Sequence, residues 1–100
     1  MEKVLIGITS KNRKEILPQS IESGLNQTYP NKEVAVFDDN STDGTEQLEK
    51  VYPNVTWYLS KENKGYVYAR NMFLATTDAD YYCSLDDDSW FQNTSYLQQA

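Results

Sequence analysis

One hundred residues make one domain, near the lower limit for a self-sufficient core, and 39% hydrophobic with 24% charged residues, 4 Gly and 3 Pro excludes disordered and collagen-like classes. A formal net charge of −6 argues against a nucleic-acid polymer or an anionic membrane surface as partner, since this chain could neutralise neither. No apolar run is long enough to span a bilayer and residues 1–10 lack the layout of a signal peptide, so a soluble, cytoplasmic protein is expected.

Residues 3–9, KVLIGIT, are apolar and β-branched, which predicts a strand buried on both faces. After Lys11, Asn12 and Arg13, the residues Ile16, Leu17, Ile21 and Leu25 recur at helical spacing and predict a helix over 14–27, with Pro18 near its start, where a missing N–H is tolerated. Tyr29-Pro30-Asn31 is a turn, and EVAVFDD at 33–39 predicts a second buried strand that stops at a carboxylate pair. Asp43 with Glu46 fits a capping box opening a short helix through about Val51. NVTWYLS at 54–60 predicts a third, less apolar strand nearer a sheet edge. Tyr68, Met72, Phe73 and Ala75 fit a helix over 65–76, ADYYCSL at 79–85 a fourth strand, and Trp90-Phe91 through Tyr96-Leu97 the first turns of another helix. The chain stops inside that pattern without a terminating signal, so a piece of a larger fold is expected.

Strands alternating with helices predict an α/β fold with a mainly parallel sheet and right-handed crossovers. In such a sheet all strands end on one edge, where Thr9 to Arg13, Asp38-Asp39 and Asp86-Asp87-Asp88 converge and where open α/β sheets take their ligands. Asp86-x-Asp88 suits a hard dication, since Mg²⁺ is commonly held by one or two carboxylates plus substrate phosphates; on spacing alone a solvated acidic turn stays open. Asp38-Asp39 could accept hydrogen bonds from a base or ribose, or form an Asx-turn into Asn40-Ser41. Arg70, inside ENKGYVYARN at 62–71, could offset a diphosphate or simply be a surface arginine.

Other chemistries lose their support. An EF-hand reading of Asp39-x-Ser41-x-Asp43-Gly44 fails because its twelfth position is Lys50. There is no Gly-x-Gly-x-x-Gly after the first strand and no Gly-Lys-Ser/Thr, and the absence of histidine excludes a Ser-His-Asp triad within the chain. Cys83 reads as a buried small hydrophobe, the tyrosines mainly as packing residues, and the Asn-x-Ser/Thr matches at Asn26, Asn40, Asn54 and Asn93 as coincidence. A phosphoacceptor domain would need its acidic group at the end of the first strand, which here reads Thr9-Ser10-Lys11.

Four blocks, VLIGITSKNR, SGLNQTYPNKEVAVFDDNSTDGT, NKGYVYARN and YYCSLDDDSW, together resemble the family 2 glycosyltransferases of the GT-A type nucleotide-binding fold over nearly the whole chain. The resemblance implies a UDP-sugar donor, an acceptor hydroxyl on an unknown acceptor, and Mn²⁺ or Mg²⁺ as cofactor. It implies that Thr9 and Asp39 contact the uracil with Arg13 as a weaker neighbour, and that Arg70 lies beside the nucleotide. It also makes Asp88 the direct metal ligand, with Asp86 facing the ribose and metal waters. In the family a further carboxylate deprotonates the acceptor, and attack proceeds with inversion. No catalytic base is expected within this chain, so a truncated, non-catalytic nucleotide-binding module is the competing reading.

Overall fold

The computed structural model describes residues 2–86. Within them, β1 (Val4–Ser10), α1 (Leu17–Leu25), β2 (Lys32–Asp39), a 3₁₀ turn (Thr45–Gln47) running into α2 (Leu48–Val51), β3 (Thr56–Ser60), α3 (Gly65–Thr76) and β4 (Tyr81–Asp86) follow in chain order. The strands form one all-parallel sheet in the order β3-β2-β1-β4. The order reverses at β1, because the chain first moves outward through β2 and β3 and then returns to pair β4 on the other side of β1. The helix expected around 90–97 lies outside the described residues.

Central strands must be apolar on both faces, and β1 and β2 are. Ile6, Ile8, Val34 and Val36 face Leu17 and Ile21 of α1 together with Leu48 and Val55. Leu5, Ala35 and Phe37 face Ala69 and Phe73 of α3. Each large aliphatic side chain buried this way contributes about 1.5–3 kcal/mol, so a three-layer sandwich forms from little chain. β3 is an outer strand among the described residues and its side chains are only partly buried, as its composition suggested. Gly7 answers to a close approach: a methyl group there would lie 2.6 Å from Tyr82 Cε1 and 2.9 Å from Phe73 Cδ2, inside contact distance of two rings that cover β1.

Several boundaries differ from the sequence pattern. α1 starts at Leu17 rather than near 14, because Arg13 to Ile16 form a turn in which the Arg13 carbonyl accepts from the Ile16 and Leu17 N–H groups; Pro18 sits in the first helical turn. The capping box does not form. Gly44 takes the cap position with a left-handed backbone, and the Asp43 carboxylate accepts from the N–H and hydroxyl of Thr45, two residues on, which gives a 3₁₀ turn before α2. On α3 it is Ala69 and Phe73 that are buried, whereas Tyr68 and Ala75 are exposed. Among the described residues no helix is long and apolar enough to cross a membrane.

Candidate functional site at the carboxyl edge of the sheet

The loops that leave β1, β2 and β3 all rise from one edge, and of the expected site residues Thr9, Arg13, Asp39 and Asp86 stand at that edge. Thr9, part-exposed, pairs in register with Phe37 on one side and Asp86 on the other, so the ends of β1, β2 and β4 meet. Ser10 pairs with Asp38, and Asp39 with Ser60. Asp88 lies outside the described residues, and among those described no group of three or more His, Cys, Asp or Glu side chains could hold a metal by itself. What is placed of the Asp-x-Asp pair is Asp86, the last residue of β4, at the level of Thr9.

The adjacent aspartates of β2 serve different partners, as alternation along a strand requires. Asp38, 3% exposed, accepts from the Ser41 hydroxyl, while the Asn40 N–H returns to the Asp38 carbonyl, so the turn reading is the one realised at this residue. Asp39, 7% exposed, reaches across to α3: its Oδ1 accepts from the Lys64 N–H at 2.6 Å and its Oδ2 from the Gly65 N–H at 3.1 Å. Both donors belong to the orphan groups at the start of a helix, where a carboxylate is favoured by hydrogen bonding and by the helix dipole. Gly65 has φ +84°, a left-handed conformation that glycine adopts without strain, as it turns the chain into the helix.

Arg13 lies exposed on the loop after β1, and Arg70 is exposed in the second turn of α3. The first turn of that helix is tied to β4 by a 2.8 Å hydrogen bond between the Tyr66 hydroxyl and Ser84 Oγ. Burial pushes the Tyr82 phenol up, while Ser84 and the positive charge of Arg70 pull it partly back. Lys11, Arg13 and Lys14 after β1 and Lys61 and Lys64 after β3 place five of the chain's nine cations on the loops of this edge, where Lys64 pairs with Glu62. An acidic protein thus offers cations, among the carboxylates of the same edge, where an anionic ligand of a parallel sheet would sit.

Residues the motif reading passed over also belong here. Ser10 Oγ is buried without a hydrogen-bond partner among the described residues. Asn12 and Asn40 both have left-handed backbones, with φ +54° and +57°, and Asn12 bonds to the loop after β2. Asparagine in a turn was the available signal, and it did not reveal the partner.

Burial raises the Asp38 carboxyl above its ordinary value of 3.8, with the Ser41 hydrogen bond acting in the opposite direction. A raised folded-state value means that Asp38 contributes stability below its unfolded pKa and loses that contribution as pH rises through the folded one. Asp38→Asn, which keeps an acceptor for Ser41, is therefore expected to unfold at higher urea than the parent at pH 7, with the gain shrinking towards pH 3.5. A difference that stays constant across that range would contradict this account. Asp43 runs the other way: slight desolvation by its neighbours opposes its ionisation, but hydrogen bonds from Thr45 and Lys14 outweigh it and hold the carboxyl below the usual range.

A parallel sheet covered by helices, with a hydroxyl, carboxylates and cations at its carboxyl edge, defines an α/β domain whose ligand edge lies at the strand ends. The chain belongs to glycosyltransferase family 2, whose model, described as Glycosyl transferase family 2, matches residues 5–100. It is 35% identical over 101 residues to the Escherichia coli UDP-Glc:alpha-D-GlcNAc-diphosphoundecaprenol beta-1,3-glucosyltransferase WfaP, covering 99% of this chain and 40% of WfaP. It is also 35% identical over 86 residues to the Bacillus subtilis putative teichuronic acid biosynthesis glycosyltransferase TuaG, covering 81% and 34% of the two chains. Among solved structures, S. aureus TarS 1-349 in complex with UDP-GlcNAc superposes with a TM-score of 0.88 at 25% identity, over 97% of this chain and 29% of the TarS 1-349 chain. The chain therefore spans two fifths of WfaP and about a third of TuaG. The GT-A type fold and the family expected from the four sequence blocks are those found.

Proposed function

We propose that this chain is the donor-binding part of a glycosyltransferase that takes a UDP-sugar and delivers the sugar to an acceptor hydroxyl. The observation that carries the reading is the convergence at the carboxyl edge of Thr9 and Asp86, paired in register, with Asp39 two residues beyond that level at the end of β2, and Arg13 and Arg70 on flanking elements. The TarS structure that superposes so closely is a UDP-GlcNAc complex, which supports the same ligand class. In this reading the Thr9 hydroxyl and the Asp39 carboxylate meet the uracil. Asp39 suits that task because its backbone partners use only two of the roughly four acceptor sites a carboxylate offers. Arg13 is a peripheral contact, and Arg70 donates towards the nucleotide from α3.

Asp86 and Asp88 would hold Mn²⁺ or Mg²⁺. The donor set fits in kind, since two carboxylates leave the remaining positions of a hard dication to water and diphosphate. When bound, such an ion stabilises the departing UDP as a Lewis acid. The cations at the edge supplement that charge, and the Asp39 bond to α3 keeps Arg70 on a fixed helix. Inversion at the anomeric carbon and attack by an acceptor hydroxyl complete the proposal, and no residue of this chain is assigned to deprotonate the acceptor.

Titration calorimetry of the chain with UDP tests the reading. Binding that tightens at least tenfold, about 1.4 kcal/mol, between excess chelator and millimolar Mn²⁺ is expected. Equal affinity in both would remove the metal from the proposal, and no binding in either would remove the donor site.

A further inference from the structure

The loop after β1 and the loop after β2 are fastened to each other by side-chain hydrogen bonds that converge on Asn12. The Asn12 N–H donates to Ser41 Oγ at 2.8 Å, and that hydroxyl in turn donates to Asp38. Asn12 Oδ1 accepts from the Thr42 N–H at 2.7 Å and from the Thr42 hydroxyl at 3.3 Å. Beside them the Lys14 N–H donates to Asp43 Oδ2 at 3.1 Å. Asn12 can take this place because asparagine tolerates the left-handed backbone found there better than most non-glycine residues.

The two loops joined in this way continue directly from Thr9 at the end of β1 and from Asp39 at the end of β2, and the first of them carries Arg13. Both loops are largely exposed and have little apolar packing of their own, since Lys11, Asn12, Arg13, Thr42 and Asp43 are all exposed. Their relative placement consequently rests on these hydrogen bonds. Groups already held in their binding geometry need no ordering when the ligand arrives, and that saving appears as affinity.

We propose that Asn12 is a positioning residue for the donor nucleotide: its side-chain carbonyl, by holding Thr42, sets the spacing between the loop that carries Arg13 and the loop that follows Asp39. This inference rests on the UDP-sugar reading above. Asn12 itself need not touch the ligand. The prediction is specific to the acceptor atom, because Asn12→Gly keeps the left-handed backbone while removing Oδ1, and Asn12→Asp keeps an acceptor at the same place.

The test uses UDP in Mn²⁺ with the full chain. Calorimetry is expected to show UDP binding weakened about tenfold in Asn12→Gly, the size of one to two net hydrogen bonds. In Asn12→Asp most of that loss should be restored. Hydrogen exchange at the Thr42 amide should be faster in free Asn12→Gly than in the parent, and should return towards the parent rate when UDP is saturating. A purely structural role would lower the urea midpoint of Asn12→Gly while leaving UDP affinity unchanged, and that result would overturn the proposal. Equal loss of affinity in Asn12→Gly and Asn12→Asp would overturn it too, since the acceptor atom would then be irrelevant. If the unsubstituted chain takes up no UDP, the donor-site reading fails and the positioning role falls with it; parent binding with unaffected Asn12→Gly removes the positioning role alone.

Discussion

Asp88→Asn is expected to remove the dependence of UDP binding on Mn²⁺, with a loss of at least about tenfold, 1.4 kcal/mol, when the metal is present. The physical ground is charge. Two carboxylates about 4 Å apart repel by roughly 4 kcal/mol at an effective dielectric near 20, and a diphosphate beside them adds to that repulsion unless a dication intervenes. Removing one carboxylate weakens the ion's hold and also removes one repulsive charge, so the two media should respond with opposite signs. In chelator Asp88→Asn should bind UDP as well as the parent or better, because only the repulsion is relieved. Calorimetry in the two media separates these contributions. Weaker binding by the variant in chelator would mean that Asp88 contacts the nucleotide without an ion, and the metal assignment would have to be withdrawn.

Asp39→Ala should show two effects that Asp39→Asn can pull apart. Truncation frees the Lys64 and Gly65 N–H groups at the start of α3, and loss of a helix cap costs about 1 kcal/mol of stability, read as a lower urea midpoint. It also removes the acceptor proposed for the uracil, and hydrogen bonds involving a charged group contribute about 1.5–3 kcal/mol, so UDP affinity should fall by roughly tenfold or more. Asp39→Asn retains one side-chain carbonyl oxygen, enough for the Lys64 N–H, but offers an NH₂ where the carboxylate had a second acceptor. Stability should then return towards the parent while affinity stays low. Recovery of both together would show that Asp39 serves the helix and not the base.

The sequence blocks identified the family because they carry four separate stretches in a fixed order, and the strand pattern was legible for a related reason. β1 and β2 are buried on both faces, so their apolar runs are continuous and short, and the α3 range of 65–76 was read without error. The ends of the elements were less legible. The Arg13 to Ile16 turn, the 3₁₀ turn after Gly44 and the delayed start of β3 all depend on local hydrogen bonds that compete with the regular pattern. Position in the sheet was only partly accessible: weak hydrophobicity marked β3 as an outer strand, whereas the pairing of β4 with β1 appears only in the folded sheet.

The amino-acid sequence by itself determined the alternation of strand and helix, the residue types that end each strand, and the family. These are decided by neighbours within a few residues, through side-chain periodicity and turn preference. Only the tertiary structure decided that Asp38 closes its own turn while Asp39 caps a helix 25 residues further on, that Asn12 clasps Thr42 across 30 residues, and that an acidic chain places cations among the carboxylates of one edge. The reason is geometric: a hydrogen bond between distant loops exists only after the sheet has brought their strand ends side by side, and no local spacing encodes which loop will be the neighbour.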